Sequence, residues 1–178
     1  QQIAEAKERL GASIGAAGGP DRTTVTLSAL SANLAPSLGL VRDIVQRPDF
    51  NQPDIERVRT QLLTGIAQAK TDPSGIARRA LPPLLYGASN PYGGTAQGDE
   101  AAVKAFSRAD LMAFKDRWLR PDNAQLFVVS DRPLAEVMPL LNAAFGTWRA
   151  PAVAEARETF SGSPPVRAGP SGGLLAPP

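Results

Sequence analysis

Prolines and glycines divide this chain before any other feature does. Seventeen of one and sixteen of the other are set among 178 residues, so regular segments are short and their ends are marked. Ile3, Ala6, Lys7 and Leu10 have helical spacing that stops at Gly11, a residue that tolerates the left-handed conformation of a helix terminus. Small residues follow from Ala12 to Ala17. Gly18-Gly19-Pro20-Asp21 then turns the chain into a run where Val25, Leu27 and Ala29 alternate with Thr24, Thr26 and Ser28. That period of two predicts a half-buried strand, antiparallel to the segment before the turn.

The next punctuation marks delimit helices. Ser31 is placed to cap a helix with Leu34, Leu38, Val41, Ile44 and Val45 on its inner face, ending before Pro48. Pro53 opens a second, with a stripe of Ile55, Val58, Leu62, Ile66 and Ala69. Asp72-Pro73 closes that one and opens a third, which buries Ile76, Ala80, Leu84 and Leu85. Pro82-Pro83 is expected to bend or break it, since neither proline donates a backbone hydrogen bond. Gly87 to Gly98 reads as a loop, and two short helices come after it. The second starts at Ser107-Arg108-Ala109-Asp110, a capping signal, and carries Leu111, Phe114 and Trp118. Residues 124–130 are continuously apolar in their middle and read as a strand central to a sheet. Asp131 and Pro133 start a last helix with Leu134, Val137, Leu140, Leu141 and Phe145, and core packing is expected for Phe114, Trp118, Phe145 and Trp148.

Beyond Trp148, Ala, Pro, Gly and Ser dominate. The chain therefore divides into one α+β domain, residues 1–148, and a linker, residues 149–178, leading toward a following domain. Gln1 falls inside a helical pattern, so the domain is expected to be incomplete at its N-terminus.

Composition excludes much chemistry. Cysteine and histidine are both absent, so thiolate nucleophiles, disulfides, imidazole acid/base catalysis and Cys/His zinc sites cannot be built from these residues. The net charge is +2, from 19 basic and 17 acidic residues scattered along the chain. No basic stripe of the kind nucleic-acid binding needs is present, and no apolar run is long enough for a membrane span. Gly18-Gly19-Pro20 lacks the spacing of a phosphate-cradling loop. The serines carry no nucleophile motif. The acid pairs Asp54/Glu56 and Asp99/Glu100 lie at predicted helix starts, where the helix dipole accounts for them without catalysis. Tyr92, in a polar loop between Pro91 and Gly93, either meets a ligand or anchors its own loop.

The order of these features resembles a known family. Ile3-Ala4-Glu5 to Leu10-Gly11-Ala12, the strand from Thr24 to Leu30, Pro48-Asp49-Phe50, the helix from Asp54 to Asp72-Pro73, Leu85-Tyr86-Gly87 with Asn90-Pro91-Tyr92-Gly93, Phe114 to Trp118 with Arg120-Pro121-Asp122-Asn123-Ala124, and Val128-Val129-Ser130-Asp131 with Phe145-Gly146-Thr147-Trp148 together resemble the insulinase/pitrilysin zinc metallopeptidases. The resemblance covers nearly all of residues 1–148 and rests on the ordered series rather than on any one motif. It implies a metallopeptidase-half domain similar to those of mitochondrial processing peptidase, a mostly antiparallel sheet with helices on one face.

Active members hold zinc through an inverted His-x-x-Glu-His helix and a later glutamate. On the resemblance, the position of that later glutamate falls at Thr64-Gly65, and neither residue replaces a carboxylate. Gly15-Ala16-Ala17-Gly18 stands where active domains have an Asn-Ala-x-Thr edge strand, and Asn90 stands in place of a histidine. The resemblance thus implies the non-catalytic half of a clamshell peptidase. This chain would have no catalytic residue and no cofactor of its own, with zinc in the partner half. Gly15, Ala16 and Tyr92 are the substrate-binding candidates, through edge-strand pairing for the first two. The implied partners are the catalytic half or a neighbouring domain of the same peptidase and a peptide substrate, with neither nucleic acid nor membrane, in a periplasmic or otherwise exported setting. Two alternatives stand beside this reading: an inactive structural subunit related to these peptidases, and part of an active zinc peptidase whose metal motif lies upstream.

Overall fold

The computed structural model describes residues 2–87, 90–95 and 98–152. Most of the linker expected over 149–178 lies outside the described residues. These group into two compact units: one holds the described residues of Gln1–Glu56 and Phe106–Ala156, the other Arg57–Ala105.

The first unit begins with α1 (Gln2–Leu10), closed as the spacing predicts. Gly11 takes φ 59°; its N–H donates to the Glu8 carbonyl and the Ala12 N–H to that of Lys7, a Schellman closure. A hairpin comes next, β1 (Ser13–Gly18) and β2 (Thr23–Ser28), antiparallel in a register that sets Gly15 opposite Thr26 and Ala16 opposite Val25. Val25 and Leu27 are half-buried between exposed threonines, so the alternation has its expected effect. Lys7 Nζ donates to the Ile14 carbonyl and Asn33 Nδ2 to that of Leu10, fastening α1 to β1 and to the segment after β2.

Ser31 does not cap α2. A 3-10 turn, Ser31–Asn33, intervenes before α2 (Leu34–Gln46), and the Ser31 hydroxyl is engaged by the Asp131 carboxylate, 100 residues later. A tertiary acceptor has displaced the local role. The inner face of α2 is otherwise as its stripe predicts, with Leu38 and Val41 buried. It packs against α7 (Leu134–Phe145), whose Val137 and Ala144 are buried. α6 (Arg108–Trp118) starts with the expected reciprocal cap between Ser107 and Asp110. The Arg108 guanidinium donates to the carbonyls of Asp49 and Phe50, holding a turn in which Phe50 takes φ 46°. Phe114, expected in the core, is exposed beside the half-buried Trp118, because α6 covers little with that face.

Residues 124–130 take no regular secondary structure and so make no strand: the described residues hold one sheet, the β1–β2 hairpin. The α+β class holds, with a small antiparallel sheet and many helices.

The second unit takes in α3 (Gln52–Thr71) from Arg57 onward, α4 (Pro73–Tyr86), a 3-10 turn Pro91–Gly93, and α5 (Glu100–Ala105). Asp72 caps α4 by accepting from the Gly75 N–H at 2.7 Å. Pro82 and Pro83 do not break it. Their missing donors would have served the Arg78 and Arg79 carbonyls only, and the helix ends within a turn, the Gly87 N–H closing on Pro83. Ile66 is fully buried, whereas Val58 and Leu62 of the same stripe, and Leu84 and Leu85 of α4, remain exposed. Spacing puts residues on a face, but burial needs a neighbour on that face. Among the described residues no helix is long and apolar enough to cross a membrane.

Candidate functional site

The candidates from sequence lie on two kinds of surface. Gly15 and Ala16 are exposed on β1, which pairs on one side with β2. A Cβ at Gly15 would lie 3.1 Å from Thr26 Oγ1, so the glycine lets the two strands approach closely at that pair. The other edge of β1 has no backbone partner among the described residues, which leaves a row of N–H and C=O groups of the sort an extended peptide can pair with.

Tyr92 belongs to the other unit. Its N–H donates to Asn90 Oδ1 at 2.9 Å, the cap of the 3-10 turn, and its ring lies 5.8 Å from that of Tyr86 at a tilt of 44°. Both rings are part-exposed. The Tyr92 ring thus packs on Tyr86 and stays part-exposed.

The helix expected to carry a metal ligand does not have one. Between Arg57 and Thr71, α3 contains no carboxylate. Thr64 directs its hydroxyl to the Thr60 carbonyl at 2.9 Å, and Gly65 has no side chain to offer. The described residues include no cluster of three potential metal ligands. Thr64 and Gly65 thus offer a metal no carboxylate oxygen.

The acids have structural partners. Asp54 accepts from Asn51 Nδ2 while its N–H donates to Asn51 Oδ1, an exchange at the start of α3. Asp99 accepts from the N–H groups of Ala101 and Ala102 at the start of α5. Glu100 accepts from Lys104 and Lys70, which hold its carboxyl down to about 2. Ser107 keeps Asp110 below the usual carboxylate range, and the Ser31 hydroxyl does the same for Asp131. Glu100, Asp110 and Asp131 are all lowered, away from the neutrality that general acid/base work would need.

Sequence reasoning did not single out Arg120. It is 5% exposed and grips Asp122 through two bonds, Nε to Oδ1 at 2.9 Å and Nη2 to Oδ2 at 2.8 Å. The Arg-x-Asp spacing around Pro121 was the available signal, since the proline turns the chain tightly enough for the pair to meet. Its role is to brace the entry to residues 124–130.

Comparison with known proteins fits this pattern of intact framework and absent chemistry. Residues 105–172 match the family described as the peptidase M16 inactive domain. A solved structure of a peptidase M16 inactive domain from Pseudomonas fluorescens superposes with a TM-score of 0.79 at 27% identity, covering 89% of this chain and 39% of that one. The chain is similar to insulinase/pitrilysin-family domains. Within this M16 family, the periplasmic protease PqqL of Escherichia coli shares the fold at a TM-score of 0.72 and 22% identity, over 88% of this chain and 18% of that one. An uncharacterized zinc protease of Rickettsia bellii is 23% identical over 138 residues, 78% of this chain and 33% of the relative. One from Rickettsia felis is 24% identical over 131 residues, 74% and 32% respectively. The chain therefore spans about a third of the length of the curated relatives it matches. The family match and the fold together support a non-catalytic domain of the M16 peptidase type.

Proposed function

We propose that this domain is a wall of the substrate chamber of an M16-type zinc peptidase, enclosing and gripping peptides that a zinc-bearing half cleaves. The observation that supports the reading is α3: where the resemblance places the later glutamate, the helix has Thr64 and Gly65. A helix without the oxygen donor cannot complete a zinc site, so the remaining use of the fold is to bind. The free edge of β1 at Gly15 and Ala16 supplies backbone hydrogen bonds for an extended peptide, and Tyr92 supplies an aromatic contact. The partners are the catalytic half and the peptide. A periplasmic or otherwise exported setting accords with the relative described as a periplasmic protease.

Metal analysis of this chain after dialysis should find no zinc, while a peptide-cleaving, chelator-sensitive partner or neighbouring domain co-purifies with it. Stoichiometric, tightly held zinc in this chain overturns the assignment. Co-purification with a large assembly devoid of peptidase activity would instead identify a scaffold subunit. In the active assembly, Tyr92→Ala should raise KM for extended peptides and leave kcat unchanged; an unaltered KM removes Tyr92 from the peptide surface.

A further inference from the structure

The hairpin has a hydrogen-bonding phase, and that phase decides which backbone groups of β1 are open. Residues of an antiparallel ladder alternate: one exchanges both hydrogen bonds with its opposite, and the next points its N–H and C=O away. The Gly19 N–H donates to the Arg22 carbonyl at 2.9 Å, one step beyond Gly18 opposite Thr23, so Gly19 and Arg22 are a bonded pair. The register runs without a bulge, so Ala17, Gly15 and Ser13 are bonded to Thr24, Thr26 and Ser28 in the same way. Thr26 Oγ1 lies 3.5 Å from the Gly15 carbonyl oxygen, as befits a group turned toward β2. Ile14, Ala16 and Gly18 therefore direct their N–H and C=O groups to the free edge. Ala16 and Gly18 have no backbone partner there among the described residues. Ile14 differs. Its carbonyl accepts from Lys7 Nζ at 3.0 Å, an ammonium reaching across from the last turn of α1.

We infer that Lys7 is a specificity-determining residue: by holding the Ile14 carbonyl it ends the peptide-pairing edge, so that an extended peptide pairs with Ala16 and Gly18 and goes no further toward α1. A peptide strand needs an acceptor for its own N–H at each outward residue. At Ile14 that acceptor is taken, and the ammonium in front of it carries donors only. A peptide N–H that displaced Lys7 would exchange a charge-assisted hydrogen bond for a weaker neutral one. The lysine is also hard to move aside, because the Ala12 N–H closes on the Lys7 carbonyl and fixes its backbone against the start of β1. The inference rests on the reading of β1 as a peptide-binding edge and adds where that edge stops.

Amide hydrogen exchange in the active assembly reads the footprint, with the metal of the catalytic half chelated so that an extended peptide the assembly cleaves stays whole. Adding that peptide should slow the Ala16 and Gly18 amides and leave Ile14 unchanged. In Lys7→Met, which keeps the apolar stem and removes the donors, the same peptide should slow Ile14 as well. Lys7→Arg keeps a donor and should behave as the wild type. With metal restored, Lys7→Met should lower KM about two- to tenfold, the worth of one added hydrogen bond, and Lys7→Arg should not. Slowing of Ile14 in the wild type overturns the inference, and so does a Lys7→Met footprint that stops at Ala16. Lys7→Met that loosens the α1 amides and raises KM without reaching Ile14 makes Lys7 a structural tie alone, which also overturns it. Ala16 and Gly18 amides that ignore the peptide in every variant, or are slow before it is added, mark a different failure: the edge reading falls first, and the inference with it.

Discussion

The two compact units are held by different means. In the first, α2 and α7 each contribute two buried apolar side chains, Leu38 and Val41 against Val137 and Ala144, so burial is shared between helices. In the second, Ile66 is completely buried and Val103 nearly so, and much of the remaining joinery is polar and exposed. Glu100 ties Lys70 of α3 to Lys104 of α5, and the Arg59 guanidinium binds the Val103 and Lys104 carbonyls. Exposed ion pairs contribute about 0–1 kcal/mol each, whereas a buried isoleucine contributes several times that. Among its described residues the second unit thus depends chiefly on Ile66 as an apolar plug, with Val103 beside it in the buried set, and uses charge mainly to set its geometry.

Truncating the plug should separate the two units most clearly. Ile66→Ala should cost about 2–5 kcal/mol, and Val137→Ala in the first unit about 1.5–3 kcal/mol. Hydrogen exchange resolved by unit should show the first loss concentrated in Arg57–Ala105; equal loss in both units would mean that they unfold together. Gly75→Ala comes next. A Cβ there would lie 2.4 Å from the Ala69 carbonyl oxygen, backbone that cannot swing aside, so the α3–α4 corner must open at a cost of about 1–3 kcal/mol, readable as a lower denaturation midpoint. Gly75→Ala with wild-type stability would show that the corner is already loose.

The smallest effect concerns the charges of the second unit. Glu100 has its carboxyl lowered from 4.5 to about 2, first by the hydrogen bond from Lys104 and then by that from Lys70. A depressed acid stabilises the folded state fully above its ordinary pKa, and the contribution is lost as pH falls from 4.5 toward 2. Glu100→Gln should flatten the acid dependence of α5 amide protection within that window and change little at pH 7, since the pair is exposed and screened. An unchanged acid profile would mean that the lysines do not hold this carboxylate in solution.

Legibility from sequence tracked the range of the interaction. The hairpin, the Gly11 closure, the Asp72 boundary and the Ser107/Asp110 box were all readable, because each is closed by groups only a few residues apart. The lack of a carboxylate between Arg57 and Thr71 was readable too, since it is a property of composition. Ser31 was misread because its acceptor is 100 residues away. Arg120 went unnoticed because its burial, rather than its identity, makes it matter.

The amino-acid sequence alone determined where most helices and the hairpin start and stop and which chemistries this chain lacks, since hydrogen-bonding ends and donor atoms are local facts. Tertiary structure decided which apolar faces are covered. Leu38 and Ile66 are buried; Phe114, Leu84 and Leu85 stay exposed, and residues 124–130 form no strand. The physical reason is that periodicity fixes the direction of a side chain, whereas burial and strand pairing require a second surface whose position no local pattern encodes.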